Sequence, residues 1–71
     1  MRVYEAIEKI EKENNSKLFL VILAYKDGRF MKEYKDEDLK FLRNAIWEVA
    51  NYEVLRIVTA TSSGITLVLD K

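Results

Sequence analysis

Residues 17–25, KLFLVILAY, form a nearly unbroken apolar run in a chain of 71 residues. Turn-forming residues close both ends, Asn14-Asn15-Ser16 before it and Asp27-Gly28 after it, so the run has the length of a strand. Its β-branched and aromatic content also favours a strand over a helix. Alternation along a strand sends Leu18, Leu20, Ile22 and Ala24 to one face and Phe19, Val21, Leu23 and Tyr25 to the other. Both sets are apolar. The fold must therefore supply cover for two faces of one strand.

The rest of the chain supplies cover for one. Val3, Ala6, Ile7 and Ile10 recur on one side of a 3.6-residue period, with Glu5, Glu8, Lys9, Glu11 and Lys12 largely outside it, which predicts an amphipathic helix. Asn14, Asn15 and Ser16 end that helix. After the apolar strand, Asp27-Gly28 predicts a two-residue hairpin turn, and residues 29–34 return as a second strand. The mixed pattern of Phe30, Met31, Lys32, Glu33 and Tyr34 marks an edge strand, where charged side chains discourage pairing with other molecules. Asp36-Glu37-Asp38 opens a second helix, with Asp36 as its N-cap and the carboxylates at the positive helix end. Leu39, Leu42, Ala45, Ile46, Val49 and Ala50 form its buried stripe, and Phe41 and Trp47 flank that stripe. A second hairpin follows, YEVLRIVTAT and ITLVLD, with Gly64 supplying a bulge or a left-handed residue between them.

The order helix, hairpin, helix, hairpin invites comparison of the two halves. At an offset of 36 residues Ile10 coincides with Ile46, Asn15 with Asn51, Ala24 with Ala60, Gly28 with Gly64 and Lys35 with Lys71. That is too few identities to prove homology of the halves, but the glycines and the apolar strand centres align. The expectation is a single α+β domain of two αββ units, with a four-stranded, mainly antiparallel sheet and both helices on one face. The helix-facing side would take Leu55, Ile57, Ile65, Leu67 and Leu69. The opposite side would keep Val54, Val58 and Val68 beside one apolar set from residues 17–25.

A contiguous apolar patch on a sheet face usually marks an interaction surface. Small domains bury a smaller share of their unfolded surface than large ones, about 60%, and often gain stability from disulfides, metals or oligomerisation. This chain has no Cys and no His, so disulfides and the commonest metal ligands are absent. A homodimer packing sheet on sheet is then the economical cover, placing Leu18, Leu20, Ile22, Val58 and Val68 at the interface.

The same composition narrows the chemistry. Without His or Cys, catalysis would fall to carboxylates, Lys, Tyr or Ser, and helix faces and turns already account for these. Gly28 and Gly64 are the only glycines, so no phosphate-cradling loop exists. No cofactor, metal or catalytic residue is expected. Twelve basic and twelve acidic residues cancel, giving no net field toward nucleic acid or an anionic membrane. The first ten residues lack a signal-peptide apolar core, and the apolar runs are too short to span a membrane, which points to a cytoplasmic protein.

Two local constellations remain. Trp47 follows Arg43 by one helical turn and lies about 100° from the centre of the apolar stripe, where the guanidinium can lid the indole. With Phe41 the pair forms either a cover for the core edge or a site for a protein partner. Arg29, Phe30, Lys32, Tyr34 and Lys35 resemble a stacking platform for single-stranded nucleic acid. Acidic neighbours Asp27, Glu33, Asp36, Glu37 and Asp38 oppose it and favour edge-strand gatekeeping. The functional expectation is a non-catalytic protein-binding module, a small homodimeric regulator or inhibitor. Virus- or mobile-element-encoded inhibitors of host defence enzymes, anti-CRISPR proteins among them, share this compact, cofactor-free, charge-balanced character. A nucleic-acid-binding module or an accessory subunit of a larger assembly is the alternative.

Overall fold

The first helix, α1, spans Val3–Asn14 and buries Val3, Ala6, Ile7 and Ile10, the stripe its periodicity predicts. Its entry is fixed by the Arg2 N–H, which donates to Glu5 Oε1 at 3.0 Å and satisfies the N-cap amide in the manner of a capping box. At its exit Asn15 adopts a left-handed conformation (φ 52°). The Asn15 N–H then donates to Lys12 O and the Ser16 N–H to Glu11 O, which is a Schellman closure. The computed structural model describes residues 1–43, 48–61 and 63–71, with the side chains of residues 41–43 outside that description.

Four strands follow in two hairpins: β1 Leu20–Ala24 with β2 Phe30–Lys35, and β3 Val54–Ala60 with β4 Gly64–Leu69. Between the hairpins lie α2, Asp36–Arg43, and a 3-10 turn at Glu48–Asn51. The chain is α+β, and its sheet is mixed. The strand order is β2-β1-β4-β3, with antiparallel ladders inside each hairpin and a parallel ladder between β1 and β4 at the centre. The expectation of a mainly antiparallel sheet thus misses the central pairing. The reason is topological: after α2 the chain enters the sheet at the far edge as β3 and turns inward as β4, so β4 meets β1 running the same way. The two apolar strands, β1 and β4, take the centre, where both neighbours are strands; the charged β2 and the mixed β3 take the edges.

One core cluster joins Val3, Ala6, Ile7 and Ile10 of α1, Leu39 of α2, and Val49 and Ala50 of the 3-10 turn with strand residues. The strands contribute Val21, Leu23, Tyr34, Ile65, Leu67 and Leu69. In β3 it is Val54 and Ile57 that pack on this cluster, whereas Leu55 is 49% exposed. Register irregularities between Val54 and Arg56 and between Ile57 and Thr59 break simple alternation there, which corrects the expected inward position of Leu55.

Three local expectations change as well. The second helix opens at Asp36 rather than being capped by it: the Lys35 N–H donates to Asp38 Oδ2 at 3.3 Å, so the third carboxylate of the triplet closes the helix start. Val49 and Ala50 are buried from a 3-10 turn rather than from the α-helix expected to carry them; Ala45 and Ile46 lie outside the described residues. The turn at Asp27-Gly28 is a three-residue loop. Gly28 N–H donates to Tyr25 O, Tyr25 N–H donates to Arg29 O, and Gly28 alone takes positive φ (92°), the pattern of a type I turn followed by a left-handed glycine.

Candidate interaction face

Leu20, Ile22 and Ala24 alternate with the core residues Val21 and Leu23, so they belong to the sheet face turned away from the core cluster. The register places Lys35, Glu33 and Phe30 beside them on β2 and Gly64, Thr66 and Val68 beside them on β4. Ala24 and Val68 are buried without belonging to the core cluster, whereas Leu20, Ile22 and Thr66 are only half-buried. The face is thus closed at one end and open at the other.

At the open end is a groove of about 320 Å³, lined by Phe19, Leu20, Ile22, Thr59 and Thr66, with Gly64 beside Leu20. Phe19 is 58% exposed at its rim. The groove is mainly apolar, and of the hydroxyls that line it that of Thr61 is already committed. Thr61 Oγ1 accepts the Gly64 N–H at 3.0 Å and the Ser63 N–H at 3.3 Å while donating toward Gly64 O. At the closed end Phe30, opposite Ala24, is 65% exposed and stands out of the same face.

The start of β1 explains why one expected interface residue is missing. Phe19 N–H and Leu20 N–H both donate to Ser63 O, at 2.9 and 3.2 Å. Two successive amides aimed at one carbonyl break the alternation, as in a bulge. Leu18 consequently joins Val21 and Leu23 in the core, fully buried, and its N–H donates to Glu11 Oε1 at 2.9 Å. Leu18 therefore forms no part of the open face. Val68 lies on that face by register but is 1% exposed, so it offers no contact area either. Leu20 and Ile22 are where the sequence places them, and Val58 is 56% exposed. Trp47 lies outside the described residues, as do the side chains of Phe41 and Arg43. Phe19 is a member that alternation alone misassigns to the opposite set.

The basic and aromatic residues of β2 do not assemble into a platform. Tyr34 is 5% exposed and packs in the core, on the face opposite Phe30. Burial raises its pKa above the ordinary tyrosine value, with the Tyr52 and Asp38 charges adding to the effect. Lys32 lies over the Tyr34 ring at 5.1 Å, and Lys35 Nζ is 4.0 Å from Glu33 Oε1. Arg29 Nε meets Asp27 Oδ2 at 2.7 Å, with its guanidinium 4.9 Å from the Tyr25 ring centre. The Arg29 backbone N–H holds the Asp27 carboxyl below its usual pKa, and the Arg29 side chain adds to that effect. Of the five candidate residues, Phe30 alone combines an open ring with the sheet face.

No protein family, curated protein or solved structure matches this chain. Among the described residues no three carboxylates converge as metal ligands, and no helix is long and apolar enough to cross a membrane.

Proposed function

We propose that this chain is a non-catalytic protein-binding module that works as a small homodimeric regulator or inhibitor. The observation that carries the reading is the sheet face on which half-buried Leu20 and Ile22 lie between two exposed phenylalanines, Phe19 and Phe30, beside an apolar groove. Exposed aromatic surface of this kind is more characteristic of interfaces than of solvated faces. The reading takes the molecule as two αββ units whose helices share one side of the sheet. It is supported by α1 and Leu39 of α2 contributing to a single core cluster. Helices on one side leave the other to be covered by a second protein. A host defence enzyme, such as a CRISPR effector, is the class of target that the compact, charge-balanced chain suits.

Local charge pairing argues against the nucleic-acid alternative, because Arg29 and Lys35 are each within ion-pair distance of a neighbouring carboxylate. Light scattering on the untagged protein across a concentration series tests the dimer directly. A mass that rises from one chain to two with concentration is expected. A single-chain mass at every concentration would remove the homodimer from the proposal.

A further inference from the structure

The turn between β1 and β2 contains a chemical liability. In an Asp-Gly pair the glycine amide nitrogen can attack the aspartate carboxyl carbon, closing a succinimide ring and releasing one water. Hydrolysis then takes up one water at either ring carbonyl, returning the aspartyl link or leaving an isoaspartyl one. Glycine permits this readily because no Cβ shields the nitrogen. The fold cannot dispense with either residue. The φ of +92° at position 28 calls for glycine, and a Cβ there would meet nothing within 4 Å, so packing gives the turn no shield on that side. Asp27 supplies the side-chain oxygen that accepts the Arg29 N–H across the turn.

We infer that Arg29 guards the Asp27-Gly28 link against succinimide closure, by holding both oxygens of the Asp27 carboxylate in bonds that closure must break. The Arg29 backbone N–H donates to Asp27 Oδ1 at 3.0 Å and the Arg29 Nε to Oδ2 at 2.7 Å. The guanidinium is braced over the Tyr25 ring, 4.9 Å from its centre. Closure expels a carboxyl oxygen as water, which requires the protonated acid, whereas both bonds favour the carboxylate. The Arg29 N–H and, after it, the Arg29 side chain hold the Asp27 pKa below its ordinary value. The nucleophile is restrained as well. The Gly28 N–H donates to Tyr25 O at 2.8 Å, and attack removes that proton and aligns the nitrogen with the carboxyl carbon, so the turn must open first.

An isoaspartyl link would insert a methylene into the main chain of this loop. The Gly28 N–H bond to Tyr25 O and the Tyr25 N–H bond to Arg29 O close the turn just before β2 begins at Phe30, so the lesion would disturb the entry to the β1–β2 ladder. The Arg29 side chain is 72% exposed, and an ion pair this open adds little to stability. Arg29 can therefore be removed with the fold intact.

The test follows isoaspartate by isoaspartyl methyltransferase labelling during incubation at one fixed pH and temperature. The native protein is expected to accumulate it severalfold more slowly than a peptide of residues 22–34. Arg29→Ala is expected to accelerate it severalfold over the native protein, and Arg29→Lys, which keeps a cation but not the Nε bond, to fall between the two. Lys26→Ala is the control for general loosening, since it removes the Lys26–Asp70 pair of the same loop and leaves the Asp27 carboxylate bonded. It is expected to match the native rate. Amide hydrogen exchange at Tyr25 and Gly28 checks that the turn is closed in each variant. A native rate equal to that of the peptide, or an Arg29→Ala rate equal to the native one, overturns the inference. Equal acceleration by Lys26→Ala and Arg29→Ala overturns it too, because loosening of the loop would then account for both.

Discussion

A methyl group added at Gly28 would meet nothing within 4 Å, yet the backbone there has φ +92°, a conformation costly for any residue with a Cβ. Gly64 presents the opposite case. Its φ is ordinary, and an added Cβ would stand 3.5–3.6 Å from Leu20, a normal contact. Gly28→Ala is therefore expected to lower stability by about 1 kcal/mol, and Gly64→Ala by less than half of that, in urea unfolding. Larger loss at Gly64 would contradict the geometry. The pair also shows what an offset of 36 residues conceals: aligned glycines need not serve equivalent turns, since one supplies left-handed backbone and the other opens a strand. Asp27 adds a pH dependence. Its folded pKa is below the 3.8 of a free carboxylate, chiefly through the Arg29 N–H, so its contribution is present above pH ~4 and is lost as pH falls through the folded value. Asp27→Asn should thus melt below the native protein at pH 7, with the gap shrinking below pH 4. Tyr34 acts at the other extreme. Burial raises its pKa above 10.0, so its stabilisation is complete below pH 10 and is lost as pH rises through the folded value. Tyr34→Phe should flatten the alkaline limb of a stability profile.

At three element boundaries a side chain supplies a backbone partner, Glu5 at the start of α1, Glu11 before β1 and Asp38 at the start of α2, and these partners were unevenly legible. The stripe of α1 and its left-handed Asn15 followed from periodicity and residue type. The role of Glu11 did not: it reads as part of a solvated helix face, but its carboxylate accepts the Leu18 N–H seven residues later. That bond ties the helix exit to the strand entry just where Leu18 turns into the core. Glu11→Ala is expected to destabilise the fold by roughly 1–2 kcal/mol, as for a hydrogen bond to a charged group, readable as a lower urea midpoint at an unchanged slope. Glu8→Ala, on the same helix but exposed, serves as the control and should change little. For α2 the acidic triplet announced a helix start correctly. It could not say which carboxylate would turn back, because any of the three is within reach of an N-terminal amide. The alternation of β1 was legible from Leu20 onward and failed at Leu18, since a shared hydrogen bond to Ser63 O lies 44 residues away in sequence and leaves no local signature.

At the scale of the molecule, composition and hairpin signals led to four strands and an α+β architecture, but they could not order the hairpins. Antiparallel and parallel joining of β1 to the second hairpin bury similar apolar strands. The choice depends on where the chain re-enters the sheet after α2, a long-range property. The open face depends on the same choice, because pairing with β4 sets Gly64 beside Leu20 and leaves the groove that a side chain there would narrow. The central ladder has a further consequence, for the rate at which the protein forms. Each hairpin joins neighbours in sequence and can close on a microsecond timescale, whereas the β1–β4 ladder, Leu20 with Gly64 through Ala24 with Val68, joins residues 44 positions apart. Loop closure over that distance must precede any reward from the contacts it makes. The two hairpins are therefore the natural early units, and their side-by-side docking is the slow event. Until it happens, the inner edges of β1 and β4 stand unpaired, and the chain is most exposed to association with the wrong strand.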